Sequence, residues 1–121
     1  MNVQTNNQKM AHAAYQCILR RKPSEKFISF AREFPSLVHS CGLAQAVAFA
    51  KSKKEHHLHH LQYLEDLADV LKTIGHSEAS SPDGLEHATR HQSVTAYVRL
   101  SRNALQAAGW LKRYVEAAGE E

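Results

Sequence analysis

Histidines at helical spacing are the first residues in this sequence that could do chemistry. Residues 55–61 read EHHLHHL, and His56 and His60 stand four residues apart, the spacing at which two zinc ligands share one face of a helix. A catalytic zinc helix of the H-E-x-x-H type needs Glu after its first histidine, where this chain has His57. No nearby Cys or further His pair completes a tetrahedral ligand set. We therefore predict no metal site here and leave the role of segment 55–61 unassigned.

Arg32 and His39 form a second candidate pair. Helical ribonucleases of the HEPN kind pair an Arg and a His about six residues apart, the His for proton transfer and the Arg for the charge on phosphorus. Here Pro35 lies between the two, and Glu33 stands where that family commonly has Asn, Asp or His. A ribonuclease remains an alternative function. The sequence contains no Gly-rich phosphate loop, no nucleophile elbow and no Glu-x-x-His pair, so we expect neither catalytic residues nor a cofactor.

Basic residues on one face of the last predicted helix are a better candidate. At 100° per residue, Arg99, Arg102, Gln106 and Arg113 fall in a stripe roughly 60° wide, with Trp110 close beside it. Guanidinium groups beside an indole suit a surface that binds the phosphates and stacks the bases of single-stranded nucleic acid. A protein-only adaptor is the other alternative, in which Trp110 and this stripe meet an acidic partner.

The formal net charge of +3 conceals strong segregation along the chain. Residues 1–54 carry nine Lys/Arg against two acids, residues 55–86 carry one against seven, residues 87–113 carry five against none, and three acids follow. Two basic blocks around an acidic one fit either a polyanion surface or contact between copies of the chain, because complementary potentials steer and register an interface.

The amino-acid composition indicates which secondary-structure elements position the candidate residues. The 121 residues include 17 Ala and 12 Leu but only 5 Gly and 3 Pro, which favours helix over sheet. Hydrophobic residues make up 43%, and no apolar run is long enough to span a bilayer. The polar N-terminus lacks a secretory signature, so we expect a cytoplasmic protein. Cys17 and Cys41 lie in apolar helical patterns, as expected of buried reduced thiols.

Apolar periodicity and capping residues predict an all-α fold, a compact bundle of five or six helices. Helices are expected over about 6–21, from Ser24 to Pro35, which closes that helix or begins another, over 55–74, over 82–90 and over about 92–118. A further apolar face follows Gly42, and the capping box at 52–55 could start a new helix. The whole chain, 1–121, is expected to be one domain, with flexible ends at 1–5 and 119–121 and a loop at 76–84.

The predicted buried face of the last helix has apolar or small residues at helical spacing. It comprises Val94, Tyr97, Val98, Ser101, Ala104, Leu105, Ala108, Leu111 and Val115.

Two runs of the sequence, 26–53 and 97–119, resemble the small all-helical subunit of type III-B CRISPR effector complexes, the Cmr small subunit. That family's pattern has a proline-led helix, a Gly-Leu-x-Gln-Ala segment running into Ala-Phe and Ser-Lys, and a C-terminal Trp-Leu-Lys-Arg. Phe34 and Cys41 depart from it. The matching positions are Pro35, Leu37, Gly42, Leu43, Gln45, Ala46, Ala48, Phe49, Ser52, Lys53, Trp110, Leu111, Lys112 and Arg113.

The resemblance implies a non-catalytic subunit with no metal or nucleotide site. Several copies would stack head to tail along a ribonucleoprotein filament, beside the backbone subunits that hold the guide RNA, and would line the channel for target RNA. The expected partners are the other subunits, further copies of the chain, target RNA and guide RNA.

Together, the charge pattern and the resemblance give two sets of candidate site residues. The expected phosphate contacts are Lys51, Lys53, Lys54, Arg99, Arg102, Lys112 and Arg113, with Arg20, Arg21 and Lys22 as a weaker group. The expected protein-interface residues are Trp110, Glu65, Asp66 and Asp69.

Overall fold

Six α-helices and one short 3-10 turn account for most of the chain that the structure, a computed structural model, describes: residues 4–52 and 57–119. Those residues contain no strand, which confirms the predicted all-α bundle. None of the described helices is long and apolar enough to cross a membrane. The helices are α1 (Asn6–Arg21), α2 (Glu25–Cys41), α3 (Leu43–Lys51), α4 (His57–Lys72), α5 (Pro82–His91) and α6 (Val94–Gly119), with the 3-10 turn at Ser77–Ala79 between α4 and α5.

Side-chain caps start the helices where the sequence places them. Thr5 and Gln8 form a reciprocal capping box at the start of α1, so Thr5, expected in a flexible end, is fixed to the helix. The Ser24 and Ser81 side chains accept hydrogen bonds from backbone N–H groups in the first turns of α2 and α5. The capping box proposed at 52–55 extends outside the described residues, and Ser52 follows the last residue of α3.

Helix α2 does not end at Pro35, contrary to the sequence prediction. It continues to Cys41 with Pro35 in its interior, although proline lacks the N–H that would bond to the carbonyl of Ala31. Apolar side chains on both sides of Pro35, Phe34 and Val38, are buried, and α2 packs against α3, α4 and α6. Burial of this face offsets the proline's cost of about 3 kcal/mol.

Gly42 makes the junction between α2 and α3. Its φ of +87° and ψ of 161° lie in a region that only glycine occupies readily. The turn brings the first residues of α3 to α6, where the Tyr97 hydroxyl accepts a hydrogen bond of 3.1 Å from the Ala44 N–H. This contact fixes the start of α3 beside the first turns of α6.

The core lies along α6, which packs against α1, α2 and α4. Its buried face differs from the predicted one: Leu100 and Ala107 are buried, whereas Val94 is 81% and Val98 48% exposed. The apolar periodicity continues to the start of α6, but burial of the side chains does not extend to Val94 and Val98.

A buried histidine attaches the loop after α4 to the middle of α6. His76 is 9% exposed, with Nδ1 3.2 Å from Glu78 Oε1 and Nε2 2.8 Å from the Asn103 side-chain nitrogen. The predicted loop at 76–84 therefore includes the 3-10 turn and the start of α5. Loop and helix are joined through polar side chains inside the fold.

Candidate nucleic-acid interface

Three arginines lie on the outer face of α6 and define what we call the arginine stripe: Arg99, Arg102 and Arg113. All three side chains are exposed, as is Gln106 between them. Within residues 4–52 and 57–119, none of the three guanidinium groups makes an ion pair or a hydrogen bond. No described carboxylate neutralises them, so the stripe presents positive charge to solvent.

Trp110, expected at an interface beside the stripe, is only partly exposed. Its indole N–H donates a 2.8 Å hydrogen bond to Asn7 Oδ1 on α1, and its ring stacks on Tyr114 at 5.9 Å between centroids. Tyr114 in turn meets the Tyr15 ring edge-on at 5.6 Å. Through these contacts Trp110 connects α6 to α1. Only part of the indole surface is therefore available to a binding partner.

The predicted phosphate-binding lysines occupy other places in the fold. Lys51, at the end of α3, forms an ion pair with Asp83 of α5, so its charge is partly neutralised. Lys53 and Lys54 lie outside the described residues. Lys112 is one residue from Arg113 and therefore about 100° away around α6, where it faces the groove between α2 and α6. Of the candidates among the described residues, the structure places the three arginines of the stripe on one helix face and Lys51 and Lys112 elsewhere.

The acidic block of α4 pairs within the chain. The Arg21 guanidinium donates to both oxygens of Asp66, at 2.7 and 3.1 Å, and lies 3.4 Å from Glu65. Arg20 pairs with Asp69 at 3.4 Å. Asp66 is 1% exposed, so it serves the chain's interior, whereas Glu65 and Asp69 are about half exposed. The sequence analysis missed this pairing: it assigned Arg20 and Arg21 to RNA and Glu65, Asp66 and Asp69 to an interface, and the opposite charges at 20–21 and 65–69 are the signal that could have indicated it.

Burial is the largest cause of the pKa shifts of Asp66 and Cys17 beside this ion pair. Burial raises the pKa of the Asp66 carboxyl from its ordinary value, and the hydrogen bonds from Arg21 oppose that rise. Asp66 in turn raises the pKa of Arg21. The neighbouring Cys17 thiol, which is 3% exposed, has its pKa raised to about 11, chiefly by burial and then by the charge of Asp66.

Cys17, Asp66 and Asp69 place three possible metal-ligand atoms within 4.8 Å of one another. The sequence did not indicate this cluster. Both carboxylates already pair with arginines, and the thiol keeps its proton at neutral pH. The cluster is therefore explained as a structural ion-pair network.

The residues considered for catalysis or zinc binding have other contacts. Arg32 pairs with Glu116 at 3.6 Å, and His39, seven residues along the same helix, is exposed about 10 Å away by helix rise. The His60 ring lies 3.9 Å from the Phe30 ring, nearly parallel to it, and 5.8 Å from Phe49. His56 lies outside the described residues, so the proposed His56–His60 pair has no described geometry.

The fold and this charge pattern define a small all-helical protein with a basic helix face. The CRISPR-associated protein family Cas_Cmr5 matches residues 6–118. The chain belongs to this Cmr5 family, and the match confirms the resemblance to the small Cmr subunit found in the sequence.

Two comparisons with proteins of Thermus thermophilus agree with this assignment. The chain is 33% identical to the CRISPR system Cmr subunit Cmr5 of that organism, over 98% of this chain and 100% of the relative. It is also similar to the crystal structure of a CRISPR-associated Cmr5 family protein from the same organism. That likeness has a TM-score of 0.80 and 30% identity, and it covers 95% of this chain and 97% of the other.

Proposed function

We propose that this chain is a non-catalytic subunit of a cytoplasmic Cmr ribonucleoprotein and that the arginine stripe binds RNA through its phosphates. The observation that carries this proposal is the set of three exposed guanidinium groups on one helix face, with no ion pair among the described residues. A phosphate backbone supplies the missing negative charge, and guanidinium groups bind phosphate oxygens with two parallel hydrogen bonds.

The stripe supports binding without base-specific readout. Contacts to phosphates position a strand but do not read its sequence. Trp110 is held by Asn7 and Tyr114, so we assign it no base-reading role. Lys53 and Lys54 remain proposed as a second group of phosphate contacts, with Lys51 weakened there by its pairing with Asp83.

Contact between copies of the chain is the second part of the proposal. Val94 and Val98 leave apolar surface exposed at the start of α6, and the sequence separates its charges into basic blocks at 1–54 and 87–113 and an acidic block at 55–86. Charges of opposite sign on different parts of one chain favour head-to-tail contact, which builds a filament where the rotation between copies does not close a ring. Glu65 and Asp69, both about half exposed, remain proposed interface residues.

Charge reversal tests the RNA part of the proposal. We expect the variant Arg99→Glu/Arg102→Glu/Arg113→Glu to bind single-stranded RNA several-fold more weakly at low salt. Log affinity falls with log salt by about 0.7 per neutralised phosphate on a single strand, so the slope should become shallower by about two units. Fluorescence anisotropy across a salt series, with two RNAs of unrelated sequence, gives the slope and shows whether the sequence matters.

The matched control is Lys9→Glu/Lys26→Glu/Lys72→Glu, which changes the net charge equally at three exposed cations away from the stripe. If both variants lost RNA affinity equally, the effect would come from the net charge of the chain and not from the position of the stripe. An unchanged slope in the arginine variant would assign the stripe to a protein partner. Cleavage of the RNA by the purified chain, abolished by Arg32→Ala/His39→Ala, would instead support the ribonuclease alternative.

A further inference from the structure

Two grooves lie side by side at the far end of α6. The first, the charged groove, has a volume of about 1070 Å³ and runs between α2 and α6, lined by Glu25, Lys26, Arg32, Glu33, Lys112 and Glu116 among others. The second, the apolar groove, has about 630 Å³ and lies between α1 and the last turns of α6, lined by Tyr15, Leu19, Ile28, Tyr114, Ala117 and Ala118 among others. Ile28 lines both grooves, so the two adjoin at this side chain.

We propose that these grooves form one docking surface for an amphipathic α-helix of another protein subunit. Its apolar face would lie over Ile28 and the apolar groove, and side chains of both charges would lie along the charged groove. This surface is separate from the arginine stripe, and it assigns Lys112 to protein contact.

The apolar groove provides the hydrophobic part of such an interface. Leu19 is 60% and Tyr15 47% exposed, and both belong to a short group of large apolar side chains left in contact with solvent. Aromatic and apolar residues in the centre with charged residues around them are the usual anatomy of a protein interface. Burying Leu19 and the edge of Tyr15 would remove this exposed surface from water.

The charged groove argues for a protein and against RNA as the occupant. Three cations, Lys26, Arg32 and Lys112, face three carboxylates, those of Glu25, Glu33 and Glu116. The balance is zero, so a polyanion gains no net attraction there, in contrast to the stripe. Of these six charged side chains, Arg32 and Glu116 form an ion pair with each other. The other four make no ion pair with described residues, so they are available to a partner that has both positive and negative side chains.

The backbone geometry fits a helix in particular. The lining residues of α2 recur at positions 25, 28 and 32 and at 26, 29 and 33, the spacing of ridges along a helix face. They extend over about 12 Å, or two helical turns. A helix lying over the groove that α2 and α6 form can interdigitate with these ridges through residues at i, i+3 or i+4, and i+7.

Co-purification with the remaining subunits of its own Cmr complex tests this inference. Leu19→Glu and Lys26→Glu/Lys112→Glu should each lower the amount of chain recovered in the complex about tenfold or more, the effect expected when a central contact is lost. The matched controls are Leu58→Glu, since Leu58 is 64% exposed on α4, and Lys9→Glu/Lys72→Glu. Both controls should be recovered like the unchanged chain.

Three outcomes would overturn the inference. The first is recovery of both groove variants at the level of the controls. The second is a loss of RNA binding in Leu19→Glu as large as in the arginine variant, which would make the groove an RNA site. The third is an isolated chain that self-associates through Leu19 while Leu19→Glu still enters the complex normally, which would make a second copy the occupant.

Folding is checked by circular dichroism melting, and the two groove variants change separate residues, so failure of one to fold leaves the other to decide. The inference does not rest on RNA binding by the stripe. An unchanged RNA slope in the arginine variant would therefore refute the proposed phosphate contact and leave the groove test valid.

Discussion

At the residue scale, the ion pair between Arg21 and Asp66 has the largest consequence. Asp66 is buried, and both of its oxygens accept hydrogen bonds from one guanidinium, which joins the end of α1 to α4. Breaking a buried pair leaves an uncompensated charge, whereas an exposed pair contributes little. The neighbouring pair of Arg20 and Asp69 is exposed and provides the comparison.

Asp66→Ala should therefore lower the free energy of unfolding by about 1–3 kcal/mol, because Arg21 loses two hydrogen bonds to a buried carboxylate while Glu65 stays within 3.4 Å. Asp69→Ala should change it by about 1 kcal/mol or less, because its pair with Arg20 is in solvent. Urea unfolding followed by circular dichroism measures both. Equal effects of the two substitutions would contradict the assignment of Asp66 to the interior.

Cys17 gives a second prediction at this scale. With a pKa raised to about 11, only about one Cys17 thiol in a thousand is ionised at pH 8, and the side chain is buried. A maleimide should therefore label Cys17 only as fast as the chain unfolds. Cys41 is partly exposed and should react in the folded state.

Mass spectrometry of the labelled chain in 0 M urea and above the unfolding midpoint separates the two thiols. The variant Cys41→Ser isolates the reaction of Cys17. Rapid labelling of this variant without urea would show that the thiol is accessible and that the network around it opens easily.

At the scale of elements, the α2–α3 junction depends on one glycine. Gly42→Ala should destabilise the fold by about 1–3 kcal/mol because its φ of +87° is strained for any residue with a Cβ, although no atom lies closer than 3.6 Å to that position. Gly109→Ala is the control, since a Cβ there meets nothing within 4 Å, and it should stabilise α6 by up to about 1 kcal/mol. Thermal unfolding measures the stability of both variants. Equal destabilisation by Gly42→Ala and Gly109→Ala would contradict the role of the positive φ at Gly42.

Local sequence signals predicted the ends of most elements but not their packing. Ser24, Ser81 and Gly75 mark boundaries through hydrogen bonds or backbone angles that depend on a few neighbouring residues. The Thr5 cap of α1 is equally local, but the sequence analysis did not identify it. Pro35 misled the prediction because its local cost is outweighed by burial of residues around it, which depends on α3, α4 and α6.

The candidate site shows the same division. Helical periodicity alone predicted that the stripe arginines share an exposed face of α6, as the structure shows. Periodicity also placed Val94 and Val98 in the core, because it carries no information on where a neighbouring helix ends. The pairing of Arg21 with Asp66, 45 residues apart, depends on how α1 and α4 pack, which no local pattern determines.

At the scale of the whole molecule, charges of different kinds occupy separate faces. Acids and bases of α1 and α4 neutralise each other, the charged groove is balanced, and the arginine stripe is uncompensated among the described residues. The proposed RNA contact and the proposed protein contact therefore lie on different faces of the chain. Behind these faces, buried side chains from the six described helices form one continuous hydrophobic cluster.

That continuity predicts a single cooperative unfolding transition. Trp110, the only tryptophan in the sequence, belongs to α6 and is hydrogen-bonded to Asn7 of α1. Its fluorescence therefore reports whether the two helices are in contact. The fluorescence transition in urea should coincide with the loss of helix measured at 222 nm. A fluorescence change at lower urea would mean that α1 detaches from a bundle that otherwise persists.

The contact of Asn7 with Trp110 also bears on how the chain folds during its synthesis. These two residues are 103 positions apart, and α6 supplies the surface on which α1, α2 and α4 pack. A ribosome makes α6 after the other five described helices, so the apolar faces of those helices remain exposed until α6 has been made. The nascent chain should therefore depend on chaperones, and a transcript that ends before α6 should yield an insoluble product.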